Sequence, residues 1–383
     1  MIIDYWTYLF YTFFALLTIL GANTLLTYSK DTNNQISFNY SKPGIHLFIV
    51  AYTLIIGLRY MVGRDYYGYF NWFKELKATG VFPVDNEVGF IFLNKLIVYL
   101  DFHYSFLFIV IAFLQIFFLV KSIEKFPFLR PWFFFFFFSC LLFFISMNAM
   151  RQTIAFFIFF YSLNNFLQKK YLLTFFLFLL ALSFHKSIIM LYVLLPFVNK
   201  DWFKNVKLQV LILIASVFIF PLFIDRLLEL VNPIINLLGY NYCIENLDYM
   251  AELSQESTKR DGLSIYMFFF IDLIIILYSD KLKLFFSKYN FQVYYNLFFI
   301  GLILSRLFAN NFILARIAEY FIHFRILILS FLCFYLIYSK QAKFYRLNKA
   351  IVWLIAISMA AFFYKAIYNN AADCSPFQFV FEQ

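Results

Sequence analysis

Long apolar runs separated by short polar segments follow one another along almost the whole chain. Apolar windows that approach the length of a membrane span occur at residues 5–28, 43–62, 104–121, 130–147, 149–168, 206–224, 263–279, 293–309, 316–338 and 348–368. Two shorter runs, at 171–184 and 187–198, form a pair. Because a membrane-spanning helix needs about 20 apolar residues, the pattern predicts an all-α, polytopic transmembrane helix bundle of about 10–12 spans. We expect residues 1–383 to form a single integral membrane domain.

The composition agrees with a membrane protein and excludes a soluble globule. Hydrophobic residues make up 64% of the chain, charged residues make up 14%, and the mean hydropathy is +0.78. Too few polar residues remain to cover a water-exposed surface. Residues 6–26 lack the basic start and the small-residue cleavage site of a signal peptide, so they predict a first span that is retained. The six consecutive phenylalanines at 133–138 are expected to enlarge the lipid-facing surface.

The basic residues predict the orientation of the chain in the membrane. The net charge is +10, but lysines and arginines are spread over short segments at 121–130, 169–170, 200–207, 281–288 and 340–349. Such segments are typical of cytoplasmic loops, and a nucleic acid partner is not expected. Residues 225–262 carry three basic residues against seven acidic ones. They therefore predict an acidic external loop.

This orientation places two separated polar sites on the external side of the membrane. Segments 169–170 and 200–207 are both predicted to be cytoplasmic, so the run 171–198 must cross and return, with His185 at its external apex. Arg151, at the other end of the helix that stops near Lys169, is then external as well. The loop 59–103 is external if residues 90–102 lie at the interface. If those residues cross the membrane, residues 59–87 become cytoplasmic. The residues of the predicted site then lie on opposite sides of the membrane.

Charged and aromatic residues are concentrated directly after the second window. Arg59, Arg64, Asp65 and Tyr69 lie within eleven residues of one another. A guanidinium group binds phosphate through two parallel hydrogen bonds, and an aromatic face can stack on a sugar ring. The alternative is that these side chains only anchor the chain at the lipid headgroups. Local sequence leaves both interpretations open.

Two further polar positions interrupt the apolar windows of the middle of the chain. Arg151 and Gln152 share a helix face with Asn148 and Ala155 at three- and four-residue spacing. The alternative role for Arg151 is to reach the external headgroups. His185 ends a short apolar helix, and a single histidine is more often a structural hydrogen-bonding residue than a base.

A polar stripe also enters the membrane near the end of the chain. Its members follow at three- and four-residue steps: Arg316, Glu319, Tyr320 and His323. The simplest role for Glu319 is to neutralise Arg316 or His323, yet the stripe still indicates a polar cavity. The sequence has no nucleotide-binding loop, no HExxH motif and no Cys/His cluster, so we expect no cofactor and no metal.

Several short motifs occur in order along the chain. They are Gly57-x-Arg59-Tyr-x-x-Gly63-x-Asp65-x-x-x-Tyr69, Glu87-x-Gly89-Phe90, Arg151-Gln-x-x-Ala155, Lys169-Lys170 and Ala181-x-x-Phe184-His185-x-Ser187. Together they resemble the EpsG family of Wzy-like polysaccharide polymerases, which serve capsule, exopolysaccharide and O-antigen synthesis. The resemblance is weaker in the last third of the chain, where it is limited to Arg316-Ile-x-x-Tyr320-Phe321.

The resemblance implies a multi-pass protein of the bacterial cytoplasmic (inner) membrane. Such a protein joins oligosaccharide repeat units carried on undecaprenyl diphosphate, at the external face. The expected partners are that lipid-linked oligosaccharide, the membrane lipid, a flippase and a separate chain-length regulator. We expect Asp65 or His185 to act as the base and Arg151 to act at the diphosphate. The expected substrate-binding residues are Arg59, Arg64, Tyr69, Gln152, Arg316 and Tyr320.

Three other functions fit parts of the sequence. A multi-span glycosyltransferase that uses a polyprenyl-phosphate sugar also needs an external acidic residue, such as Asp65. A flippase of the lipid-linked unit would need polar residues at several depths, whereas the arginines here cluster at the external ends. A scaffold subunit of an export machine would not need the polar stripe that begins at Arg316.

Overall fold

The computed structural model describes residues 5–22, 26–30, 36–40, 45–83, 87–219, 262–309, 312–338 and 345–381. The chain folds into two compact units. The first comprises Met1–Leu195 and Met359–Gln383, and the second comprises Pro196–Ser358. The predicted acidic loop 225–262 lies almost entirely outside the described residues. The single integral domain and its external loops stay predictions.

Helices form nearly all of the first unit. They are α1 (Tyr5–Gly21), α2 (Ile45–Gly57), α3 (Tyr66–Thr79), α4 (Val88–Tyr99), α5 (Ser105–Ile123), α6 (Arg130–Ser139), α7 (Leu142–Asn148), α8 (Met150–Leu167), α9 (Tyr171–Phe184) and α10 (Ile189–Val193). Short 3-10 turns occupy Pro127–Leu129, Lys186–Ile188 and Leu195–Phe197. The prediction of an all-α membrane bundle is confirmed.

One small hairpin departs from the helical pattern. Strands β1 (Leu26–Lys30) and β2 (Ile36–Tyr40) pair in antiparallel register, with Leu26 opposite Tyr40. The window 5–28 predicted one continuous helix, but α1 ends at Gly21. The strand sequences LTYSK and ISFNY contain threonine, isoleucine and aromatic residues, which favour extended backbone.

The predicted span 130–147 is broken into two helices. Leu141 adopts the left-handed conformation, with φ of 64°, and α7 turns away from the preceding helical segment by 60°. The phenylalanines of α6 pack mainly inside the chain. Phe133, Phe134, Phe136, Phe137 and Phe138 are all buried in the chain. The expectation that this run lies against lipid is therefore wrong for five of the six residues.

The second unit contains longer helices. They are α11 (Val206–Phe218), α12 (Gly262–Phe285), α13 (Phe291–Leu307), α14 (Phe312–Ile322), α15 (Arg325–Tyr338) and the first part of α16 (Tyr345–Tyr368), which ends in the first unit. Window 316–338 predicted one helix, whereas a turn at His323 and Phe324 separates α14 from α15. At Gly301 on α13, an added Cβ would lie 2.7 Å from the Phe321 Cβ, so only glycine permits this close packing against α14.

Four helical segments of the described residues are long and apolar enough to cross a membrane, or five if the bent pair 127–139 and 142–148 is one span. The four are Ser105–Ile123, Gly262–Phe285, Leu314–Tyr338 and Tyr345–Tyr368. Most other predicted windows correspond to apolar helices of 10–17 residues, whereas window 149–168 forms the 18-residue α8. The chain is a multi-pass membrane protein. Its number of spans stays a prediction.

The interfacial position expected for residues 90–102 agrees with the length of α4. This helix has 12 residues. At 1.5 Å per residue it is about 18 Å long, which is shorter than a hydrocarbon core of about 30 Å. Helix α2, with 13 residues, is almost as short, so helix length alone does not separate spanning from interfacial helices. The position of loop 59–103 on one side of the membrane stays a prediction.

The end of the chain returns to the loop that follows α2. The Tyr60 N–H donates to the Gln378 carbonyl at 2.8 Å, and the Val380 N–H donates to the Leu58 carbonyl at 2.9 Å. Nearby, the Gly63 N–H donates to the Asp373 carbonyl at 2.8 Å. These bonds hold the loop between α2 and α3 in a defined position.

Candidate functional site

A buried carboxylate joins two of the predicted site residues. One oxygen of Glu87 accepts a hydrogen bond from the Arg151 guanidinium, and the other lies 2.8 Å from His185 Nδ1. Arg151 and His185 are mostly buried, and only 6% of the Glu87 side chain is exposed. The structure thus brings together Arg151 and His185, which are 34 positions apart in the sequence.

Three helix ends place these groups. Arg151 lies in the first turn of α8, after Ala149 has interrupted the helical conformation. Glu87 immediately precedes α4, and His185 is in extended conformation directly after α9. At Gly89, an added Cβ would lie 2.9 Å from the Ser183 Cβ. This glycine allows α4 to approach the end of α9, so that Glu87 reaches His185.

Aromatic rings surround the Arg151 guanidinium. Its central carbon lies 5.8 Å from the Tyr69 ring centre, 5.3 Å from that of Trp72 and 5.5 Å from that of Phe90. The Tyr69 hydroxyl also forms a hydrogen bond with this guanidinium. Contacts between a cation and aromatic faces are favourable, most of all where water is excluded. These rings hold the arginine side chain in place beside Glu87.

The charges of the site keep Glu87 ionised. Burial raises the pKa of the Glu87 carboxyl, but the hydrogen bond from His185 and the positive charge of Arg151 outweigh it and lower that pKa below its ordinary value. A carboxyl with a lowered pKa contributes stability above its unfolded-state pKa of about 4.3, and loses that contribution as the pH falls through the folded-state pKa. At neutral pH the site therefore contains one stable carboxylate.

The hydrogen bonds that Arg151 forms with Glu87 and Tyr69 do not involve every nitrogen of its guanidinium. Its Nε is buried and has no hydrogen-bond partner in the described part of the chain. A buried donor of this kind is costly unless it is paired. Binding of a ligand anion by Arg151 stays a prediction.

Arg59 has a different environment from the one expected for a substrate ligand. It is 1% exposed, and its guanidinium donates to the carbonyls of Ile56 at 2.6 Å, Val62 at 3.2 Å and Met147 at 2.8 Å. The Phe108 ring lies 5.1 Å away. The arginine thus connects the end of α2 to the junction of α7 and α8. We infer from these contacts that Arg59 positions the backbone, and its expected part in phosphate binding stays a prediction.

Arg64 and Asp65 lie on the loop between α2 and α3. The Arg64 Nε is 3.1 Å from an Asp373 carboxylate oxygen, and both side chains are more than half exposed. The Asp65 N–H donates to the Asn148 side-chain oxygen at 3.3 Å, so this loop packs beside the α7–α8 junction, three positions before Arg151. Asp65 stays a candidate base, although Glu87 and not Asp65 contacts His185.

The remaining predicted residues are distributed over both units. Gln152 is buried in α8, next to Arg151 in the sequence. Arg316 and Tyr320 lie on α14 in the second unit, where Tyr320 is buried and Arg316 is half-buried. The part of the chain that the structure describes contains no group of three or more His, Cys, Asp or Glu residues able to hold a metal ion.

Glu87 is the central residue of this cluster, and sequence reasoning assigned it no catalytic or binding role. It occurs in the Glu87-x-Gly89-Phe90 motif, before an apolar run. The available signal was an acidic residue two positions before a glycine, on the same predicted side of the membrane as two cations. Trp72 was also missed, because one tryptophan in a polar-aromatic helix has no specific pattern.

Together, these observations define a polytopic all-α membrane protein with an Arg-Glu-His cluster at the ends of three helices. The model of the EpsG family matches residues 45–379, so the chain belongs to the EpsG family. It is therefore a membrane protein of polysaccharide biosynthesis of the Wzy/EpsG type, and the resemblance drawn from its motifs is confirmed. No curated protein and no solved structure matches the chain significantly.

Proposed function

We propose that this protein polymerises oligosaccharide repeat units carried on undecaprenyl diphosphate, at the external face of the bacterial cytoplasmic membrane. The observation that carries the proposal is the bridge from Glu87 to both Arg151 and His185. Within one buried site it combines a cation for a diphosphate with an oriented imidazole for a hydroxyl. Family membership supports the same class of reaction.

In the proposed reaction, a sugar hydroxyl of the incoming lipid-linked repeat attacks the anomeric carbon of the growing chain. A new carbon–oxygen bond forms at that carbon as its bond to the diphosphate oxygen breaks. Undecaprenyl diphosphate leaves with the bonding electron pair. The proton of the hydroxyl passes to His185. Because the glycosyl donor is already activated, no soluble nucleotide sugar is required.

The position of Glu87 suits His185 to this role. A carboxylate at Nδ1 keeps the proton of the neutral ring on Nδ1, so that Nε2 carries the lone pair. As the ring gains a proton from the hydroxyl, the carboxylate stabilises the imidazolium that forms. Arg151 counters the negative charge that develops on the leaving diphosphate. Asp65 is the alternative base.

Trp72 is proposed to support a sugar ring of the repeat unit. It lies beside Arg151 and, unlike buried Tyr69 and Phe90, it is only partly buried. Its ring is held nearly perpendicular to the Tyr69 ring, with centres 5.4 Å apart. A partly accessible aromatic face next to a phosphate-binding cation suits a glycosyl diphosphate.

Replacing Trp72 with alanine is expected to raise the KM for the lipid-linked repeat about tenfold, with a smaller change in kcat. Trp72→Phe keeps an aromatic face and should retain most of the affinity. The measurement is the initial rate of polymerisation by purified protein over a range of repeat-unit concentrations. Equal KM values for the alanine variant and the natural protein would remove Trp72 from the sugar site.

The proposed reaction is tested by deleting the gene in its host and analysing two products. We expect the polysaccharide ladder to collapse to a single repeat and the complete lipid-linked unit to persist, as seen by gel and mass spectrometry. Accumulation of an incomplete repeat that lacks one sugar would instead indicate a glycosyltransferase. If complete units accumulate only on the cytoplasmic side, the protein is a flippase. An unchanged ladder excludes all three activities.

A further inference from the structure

A buried glutamine of the first unit has no part in the reaction as described so far. Gln115 lies near the middle of α5, a helix that is long and apolar enough to cross a membrane, and it is 1% exposed. Polar side chains inside the apolar part of a membrane protein are costly unless they are paired, and they usually serve a purpose. The partners of Gln115 therefore indicate what it does.

The side-chain amide of Gln115 binds the place where α7 ends and α8 begins. Its Nε2 donates to the Ser146 carbonyl at 2.8 Å, and it lies 3.2 Å from Thr153 Oγ1 and 3.4 Å from the Met150 carbonyl. Thr153 Oγ1 in turn donates to the Ala149 carbonyl at 2.6 Å. One side chain of α5 thus contacts residues on both sides of the interruption between the two helices.

The interruption releases backbone groups that a helix would otherwise pair. Ala149 has φ of −73° and ψ of 57°, which is not a helical conformation. In a continuous helix the Ser146 carbonyl would accept from the Met150 N–H, whereas here it accepts from Gln115. A broken helix inside a membrane protein persists where neighbouring side chains replace the lost bonds. Gln115 therefore stabilises the broken form relative to a continuous helix.

The same interruption determines where Arg151 lies. Arg151 follows Met150 directly, in the first turn of α8, and its guanidinium binds Glu87. If α7 continued into α8 as one helix, the first turn of α8 would take a different direction relative to α7. The Arg151 side chain would then point away from its present position beside Glu87.

Arg59 supports the same junction from another helix. It donates to the Met147 carbonyl at 2.8 Å, so side chains from outside α7 and α8 satisfy the adjacent carbonyls of Ser146 and Met147. Gln115 is uncharged, and methionine is an unbranched side chain of nearly the same length. Gln115 can therefore be replaced without a change in the charge of the site.

We propose that Gln115 is a positioning residue for Arg151. Its amide holds the break between α7 and α8, so that the Arg151 guanidinium meets Glu87. In this role Gln115 acts through Arg151 and does not contact the substrate. The inference rests on the proposed function, because it assigns Gln115 to the same reaction.

The kinetic test uses Gln115→Met, which keeps the length of the side chain and removes the donor. We expect kcat per folded molecule to fall about tenfold and KM for the lipid-linked repeat to stay within about threefold, because a misplaced catalytic group slows the reaction of bound substrate. The measurement is the rate of polymerisation by purified protein over a range of repeat-unit concentrations. A natural kcat in Gln115→Met overturns the proposal.

Asn164→Leu is the matched control for loss of a buried amide. The Asn164 side chain also joins α8 to α5, by donating to the Ser122 carbonyl at 2.6 Å, but it lies near the other end of α8. This variant should lower the melting temperature and leave kcat per folded molecule unchanged. An equal decrease of kcat in Asn164→Leu would show that Gln115 only stabilises the fold, and would overturn the proposal.

A second measurement does not depend on activity. The melting temperatures of Gln115→Met, Arg151→Gln and the double variant are compared in one detergent. If Gln115 places Arg151 against Glu87, the Gln115 variant has already lost that contact, so the two decreases should not add. The decreases caused by Asn164→Leu and Arg151→Gln should add. Additive decreases for Gln115→Met and Arg151→Gln overturn the proposal.

The two measurements separate this inference from the proposed function. If Arg151→Gln polymerises at the natural rate, the proposed site is wrong, whereas the melting temperatures still decide whether Gln115 places Arg151. If Arg151→Gln is slow and Gln115→Met is not, the proposed function stands and the role of Gln115 is overturned. If Gln115→Met does not fold, Gln115→Asn keeps the amide on a side chain that is one carbon shorter. It should lower kcat several-fold, and a natural kcat would overturn the proposal.

Discussion

Replacing Glu87 with glutamine should lower the rate of polymer formation about 10²- to 10⁴-fold while the protein stays in the membrane. Glutamine has nearly the same shape, but it lacks the negative charge that Arg151 and His185 share. The imidazolium that forms during the reaction would lose its counter-charge. Arg151 would also become a buried cation without its carboxylate. The measurement is the rate of ladder formation by membranes with matched protein levels.

Two further variants show whether Glu87 acts through His185. His185→Asn should be about as inactive as Glu87→Gln, and the double variant should be little worse than either single one, because groups that act as a unit are not additive. Glu75→Gln is the matched control, since Glu75 is exposed on α3. If Glu87→Gln retains full activity, the Glu87–His185 pair has no part in catalysis and Asp65 becomes the preferred base.

The carboxylate should not be the group that determines any pH dependence near neutrality. The pKa of Glu87 lies below its ordinary value, so this group stays ionised between about pH 6 and about pH 8. A change of rate in that interval must then come from another group. The ion pair with Arg151 is expected to persist until the medium becomes more acidic than an ordinary carboxyl would require.

The apolar pattern predicted the helical class of the protein because lipid imposes a simple rule. A segment that crosses a membrane must satisfy its backbone hydrogen bonds internally and present apolar side chains. The same rule made Arg151 and His185 conspicuous, since each interrupts or ends an apolar run. The structure places both against Glu87. Their proposed roles rest on that contact.

Long-range contacts were not predictable in the same way. Glu87 and His185 are 98 positions apart, and no local pattern specifies that contact. Arg59 and Arg151 look alike in sequence, because each lies at the end of an apolar window near aromatic residues. They differ in their partners: backbone carbonyls surround Arg59, whereas a carboxylate binds Arg151. Every residue has a carbonyl, so the structural role of Arg59 leaves no signature in the sequence.

The bend after α6 illustrates a second limit of prediction from the sequence. A run of phenylalanines is compatible with lipid and with a protein core, since both are apolar. The left-handed Leu141 ends this helical segment, and before it the Phe138 ring packs 5.8 Å from Phe14 and the Phe134 ring 4.8 Å from Phe48. Composition shows that such a run avoids water. Only the path of the backbone determines which apolar environment it enters.

Replacing Arg151 with glutamine should lower the rate of polymer formation about 10²- to 10³-fold without loss of the folded protein. The substitution removes the positive charge that the proposal places at the leaving diphosphate. Glu87 would keep its contact with His185. The substitution should therefore slow mainly the step in which the lipid diphosphate leaves. The measurement is single-turnover transfer between two lipid-linked units by purified protein, with Lys186→Gln as the control for removal of a nearby exposed cation.

Arg59→Gln is the contrasting variant, because it should destabilise the fold, whereas Arg151→Gln should reduce only the activity. The Arg59 guanidinium is buried and binds three backbone carbonyls, and each buried carbonyl left without its donor costs about 1–3 kcal/mol. This variant should lose the folded protein itself, seen as a lower melting temperature or as aggregation in size-exclusion chromatography. Arg64→Gln, at an exposed ion pair, should stay within about 1 kcal/mol of the natural stability. If Arg151→Gln instead unfolds like Arg59→Gln, Arg151 is a structural residue, and the diphosphate must be bound by other cations.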